Sequence, residues 1–173
     1  MTDPGTIKNT VANKALVTID LGDFYPKEDE CVYIDIAEYL YKGLILKEND
    51  FREQISKIVF GQYKDKFVGI YCSADAIIPM WVYMVLASEL SAFAKDVLFG
   101  KKDQFPLLFL HANLNKISPI EFEGKRLVIK GCGDKPIDET AFTIISSKLA
   151  PVARSIMYGE PCSTVPVFKR SAE

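Results

Sequence analysis

The sequence lacks a long apolar run, an excess of charge of either sign and a glycine-rich phosphate motif, and each absence removes a class of function. The strongest apolar stretch, Ile77 to Leu90, is interrupted by Pro79 and Glu89 and is too short for a clean membrane span. Asp3, Pro4 and Lys8 come early, and no apolar core of a secretory signal follows them. A formal net charge of -2 gives no general basic face for nucleic acid. The pairs Lys101-Lys102, Lys125-Arg126 and Lys169-Arg170 are read as solvated positions. Gly5, Gly22, Gly61 and Gly100 form no phosphate-binding pattern. No repeat, low-complexity segment or linker interrupts the chain. A soluble, cytoplasmic protein with reduced cysteines is therefore expected, without nucleic-acid or membrane partners and with self-association left open.

What is present suits one ordered core: 173 residues, of which 49% are hydrophobic and 12% aromatic. Residues 1–13 are expected to form a flexible arm, and 14–170 a single α/β domain. Ala15 to Ile19, Phe67 to Tyr71, Val97 to Phe99 and Arg126 to Lys130 read as strands. Helices are expected over Ile34 to Tyr41, Lys47 to Val59, Ala76 to Ala94 and Ala141 to Tyr158, the last kinked at Pro151 or split there into two shorter pieces. Leu107 to Leu110 fits a strand or a buried helix segment equally. Val165 to Phe168 would be an edge strand, where Pro166 is tolerated. Strand–helix alternation, with central strands apolar on both faces, predicts a three-layer α/β domain with a mixed, mainly parallel sheet.

Three of the four cysteines stand at element ends. Cys72 and Cys132 follow apolar strand-like runs, and Cys162 lies in Glu160-Pro161-Cys162-Ser163-Thr164. Ligands in α/β folds gather beyond the carboxyl ends of strands, so all three thiols are candidates for one rim. Cys72 is the sharpest. The amides of the helix expected at Ala76 would favour its thiolate and make it a nucleophile, with Ser73 as cap and Asp75 in the first turn. Burial as an inert thiol is the competing reading.

The cysteine spacings match no short-range zinc or iron–sulfur motif. A site assembled across the fold from Cys72, Cys132 and Cys162, with Asp75, Glu160 or His111, would suit iron, an iron–sulfur cluster or zinc. Asp20, Asp23 and Asp35 are further candidates for that rim, although Asp20 and Asp23 also fit simple turn formation. His111 is a candidate base or a structural histidine, and Cys31 looks incidental.

Five segments resemble one family of uncharacterised bacterial proteins, the DUF2480 family of the Bacteroidetes. They are Asp20-Leu21-Gly22-Asp23-Phe24-Tyr25-Pro26, Gly43-Leu44-Ile45-Leu46-Lys47-Glu48, Cys72-Ser73-Ala74-Asp75-Ala76-Ile77-Ile78-Pro79, Lys130-Gly131-Cys132 and Tyr158-Gly159-Glu160-Pro161-Cys162-Ser163-Thr164-Val165-Pro166. Genes of that family often stand near those for sulfur mobilisation and cluster assembly. The resemblance thus implies an accessory role in sulfur or iron–sulfur handling, with protein partners from those systems. It implies Cys72, Cys132 and Cys162 as the residues to carry over. Two alternatives stand beside it: a thiol or persulfide-transfer enzyme using Cys72, and a protein-binding module with no metal centre.

Overall fold

The structure, a computed structural model, describes residues 16–131, 133–160 and 163–171. It is a mixed α/β fold with mainly parallel strand pairing. The strands are divided between two sheets, and the chain sorts into two compact units. One unit is Tyr25–Ala112; the other takes the described residues up to Phe24 and from Asn113 onward.

In the first of these, strands β2 (Cys31–Asp35), β3 (Phe67–Tyr71) and β4 (Asp96–Phe99) form a parallel sheet with β3 in the middle. Helices α1 (Glu48–Ser56) and α2 (Met80–Leu90) supply the crossovers, and most of α3 (Phe105–Lys116) follows β4 within this unit. The two-residue period of β3 decides the layering. Val68 and Ile70 join Phe51, Ile55, Val82, Leu86 and Leu90 in one core. Phe67 and Tyr71 meet Phe105 and Phe109 of α3 in another. A sheet covered on both faces accounts for the apolar run of β3.

In the other unit, β1 (Leu16–Asp20), β5 (Arg126–Lys130) and β6 (Ser155–Glu160) pair in parallel, and β7 (Ser163–Lys169) returns antiparallel along the edge. Helix α4 (Glu139–Leu149) makes the β5–β6 crossover. The Asp138 carboxylate caps it by accepting from the Ala141 amide at 3.0 Å. Gly159 has φ +112°, and a Cβ there would lie 2.6 Å from the Ser163 carbonyl oxygen, so this hairpin position requires glycine.

Several expected boundaries move for local reasons. The helix expected at Ile34 to Tyr41 is the end of β2 followed by a 3₁₀ turn over Ile36–Tyr39. There the Asp35 carboxylate accepts from the Ala37 amide at 3.0 Å. Helix α2 starts at Met80 because Pro79 stands as its N-cap in an extended conformation. Leu107 to Leu110 belongs to α3, whose Pro106 sits harmlessly in the first turn. The segment expected as a kinked helix or two shorter ones is α4, a turn at Pro151 and strand β6. The expected N-terminal arm lies outside the described residues. Among the described residues no helix is long and apolar enough to cross a membrane.

Candidate functional site

Cys72 follows β3 directly, at the carboxyl end of the middle strand of its sheet. Its side chain is half-buried against the core formed by α1 and α2, and its thiol donates weakly to the Ala74 carbonyl at 3.5 Å. The shift of the helix start changes the chemistry expected of it. Residues 72–79 carry no regular structure, so α2 begins eight residues after the thiol rather than at Ala76. The Ser73 amide donates to the Asp35 carboxylate at 3.0 Å, which makes it a tie between β2 and β3 rather than a helix cap. Burial raises the Asp35 carboxyl, but hydrogen bonds from Ser73, Ala37 and Tyr71 outweigh it and hold the group below its ordinary value. Asp75 is exposed.

A stripe of apolar side chains adjoins this strand end. Met80, Tyr83 and Met84 share one face of α2 by their spacing. Burial first, and then the nearby Cys72 sulfur, push the Tyr83 hydroxyl above its ordinary pKa. The Tyr83 ring meets Phe99 edge-on at 4.7 Å. Met80, Met84 and Phe99 are 75%, 71% and 61% exposed, and Ile77 in the preceding loop is 95% exposed. The opposite face of α2 (Val82, Leu86, Leu90) is fully buried. The first two turns of α2 thus carry apolar side chains on an uncovered side as well as on the buried one. The sign of this in the sequence is the absence of a polar residue among Met80, Tyr83 and Met84.

The remaining candidates fall elsewhere. Cys132 and Cys162 lie outside the described residues. Their described neighbours, Gly131 and Glu160, come at the carboxyl ends of the adjacent parallel strands β5 and β6. There Lys130 Nζ lies 3.0 Å from Asp20 and 3.8 Å from Glu160. Asp20 also accepts from the Gly22 amide at 3.0 Å, so it organises the turn after β1. Asp23, with Gly22 and Gly131, lines a small cavity at this end. His111 is on α3, across the β2–β3–β4 sheet from the core against which Cys72 packs. The Cys31 thiol donates to the Lys27 carbonyl at 3.5 Å. Burial and then the Glu30 charge raise its pKa, which fits an unreactive thiol.

Among the described residues no group of three or more His, Cys, Asp or Glu side chains is placed to hold a metal ion. Of the six expected donors, Cys72, Asp75, His111 and Glu160 are described. The ammonium of Lys130 beside Glu160 would oppose a cation there.

The arrangement defines an α/β protein with a half-buried thiol at a strand end beside an uncovered apolar helix face. Residues 5–170 match the family described as "Protein of unknown function (DUF2480)", and the chain belongs to that family. No curated protein and no solved structure matched the chain.

Proposed function

We propose that this protein is an accessory factor in sulfur or iron–sulfur cluster handling. It docks a protein partner on the α2 stripe and exchanges sulfur with it at Cys72. The observation that carries this reading is that Cys72 and Tyr83 pack on one core, while Met80 and Met84 of α2 and Phe99 against Tyr83 are left exposed. Docked on such a surface, a partner would exclude water from the thiol and set its approach, as an apolar interface core does. In the exchange, deprotonated Cys72 attacks the outer sulfur of a partner persulfide. The new S–S bond forms, the old one breaks, and the partner leaves as a thiolate. Cys132 and Cys162 would serve as further thiol positions, or, with Glu160, as ligands if iron, zinc or a cluster is the cargo.

The test uses glutathione persulfide and intact-mass measurement on protein purified without oxygen or a metal-affinity tag. Wild type is expected to gain one sulfur atom and Cys72→Ser to gain none. Met84→Asp is expected to accept sulfur from this small donor but not from a protein donor. Equal, slow labelling of wild type and Cys72→Ser would sink the proposal. Elemental analysis and a visible spectrum of the same sample read the metal-holding alternative. Iron with sulfide-to-iron bands, lost in Cys72→Ser, Cys132→Ser and Cys162→Ser, would replace sulfur carriage by cluster binding.

A further inference from the structure

Two of the three basic pairs that read as solvated positions in the sequence contribute to the lining of one cavity. It occupies about 1010 Å³ within the unit that contains β5, β6 and β7, and its lining includes Arg126, Arg154, Lys169 and Arg170. Its apolar wall comes from Met157, Pro166 and Phe168, and among the described residues no carboxylate lines it. Strand register explains the gathering. Arg126 pairs with Ser155, and Ser155 with Lys169, so these residues form one row across three strands. This row lies at the amino ends of β5 and β6, opposite to the end that carries Lys130 and Glu160.

The frame of the cavity is held by the backbone. The Gly124 amide donates to the Val152 carbonyl at 2.9 Å, Arg154 to Lys125 at 2.8 Å, and Arg170 to Arg154 at 3.0 Å. The Arg170 guanidinium donates to the carbonyls of Ala150, Pro151 and Ala153, just past α4, and so braces the wall. Arg126, Arg154 and Lys169 are different: among the described residues none has a carboxylate partner. Three cations around one concavity repel each other, and an anion relieves that repulsion.

We propose that this cavity binds a small phosphate ester whose organic part is apolar or aromatic. Guanidinium groups match phosphate oxygens with paired donors, and the Ser155 hydroxyl adds another. Met157, Pro166 and Phe168 supply the apolar contact that inorganic phosphate cannot use. The volume is of the order typical for small-ligand pockets, about 300–1,000 Å³. A nucleic-acid backbone would call for a basic stripe along the surface, whereas these cations surround a single hollow. The proposal is independent of Cys72 and stands or falls without it.

Isothermal titration of the full-length protein with 1-naphthyl phosphate, 1-naphthol and inorganic phosphate tests it. The ester is expected to bind one per chain and at least about tenfold more tightly than either fragment-like probe. Arg154→Gln and Lys169→Gln, both at exposed positions, are expected to weaken it by roughly tenfold each. Lys57→Gln, in the other unit, is expected to leave it unchanged. Absence of saturable ester binding would overturn the proposal. So would ester affinity no better than that of inorganic phosphate, or affinity indifferent to Arg154→Gln and Lys169→Gln together.

Discussion

Replacing Gly69 by alanine tests the seating of α3 on its sheet. Gly69 occupies the middle of β3, paired with Tyr33 on one side and Leu98 on the other. A Cβ there would lie 2.8–2.9 Å from three ring atoms of Phe105, so it would press on the ring face. Ordinary carbon–carbon contacts need about 3.5–4.0 Å, so the ring must retreat by roughly 0.7–1 Å. It has nowhere to go. Phe105 is fully buried, stacks on Phe109 at 5.8 Å, and contacts the rings of Tyr33 at 5.4 Å and Tyr71 at 6.5 Å. Overpacking of this kind costs about 1–3 kcal/mol. Removing a glycine from a strand interior returns about 0.5–1 kcal/mol. The net expectation for Gly69→Ala is a loss of about 1–2 kcal/mol, read as a drop of roughly 0.5–1 M in the urea midpoint for a slope of about 2 kcal/mol/M. Gly61→Ala, where a Cβ meets nothing within 4 Å, serves as the control and should be neutral. Phe105→Leu will destabilise alone, but the double variant should be better than the sum of the singles by about 1 kcal/mol. Additive behaviour of the pair, or a Gly69→Ala midpoint equal to wild type, would refute the packing argument.

Further outcomes follow from single contacts. Because the folded Asp35 carboxyl lies below its ordinary value of 3.8, its stabilising contribution is complete above that pH and is lost as pH falls through the depressed folded value. Asp35→Asn should therefore flatten the acid limb of a stability-against-pH curve, while an unchanged limb would discount the Ser73 and Ala37 bonds. Asp138→Ala removes the α4 cap and should cost about 0.5–2 kcal/mol in the same urea assay, with loss of helical signal. Cys31, whose pKa is raised by burial and by Glu30, should alkylate slowly at neutral pH and faster only in alkali. Peptide mapping after timed iodoacetamide treatment reads that rate, and rapid labelling at neutral pH would contradict the burial argument.

The parts of the fold that were legible in the sequence are those where one local rule acts alone. Phe67 to Tyr71 reads as a doubly buried strand because nothing polar interrupts it, and Val68 and Phe67 do serve opposite cores. Arg126 to Lys130 and the proline-bearing edge strand near Val165 to Phe168 are equally plain. Legibility failed where one residue reverses a period. The apolar residues of Ile34 to Tyr41 suit a helix, yet Ile34 lies in a strand and Ile36 begins a 3₁₀ turn, with the Asp35 carboxylate marking the change. Ser155 to Tyr158 reads as more helix, yet the chain turns at Pro151 and these residues enter β6. Division of the strands between two sheets was beyond pattern reading, since pairing depends on partners far apart in sequence, such as Leu16 with Arg126.

The site shows the same boundary between what is local and what is not. That Cys72 follows a strand was readable from five residues, and the structure places it there. Its activation by a helix start rested on the next eight residues, and Pro79 changes their structure: an extended proline N-cap delays α2 to Met80 and leaves a loop in between. That delay alters the functional argument rather than merely trimming an element. What the fold places near the thiol is the core side of α2 together with Tyr83. Met80 and Met84 of that helix, and Phe99 against Tyr83, are left exposed. Under the proposed exchange, that surface would seat the partner and bring its persulfide to the thiol.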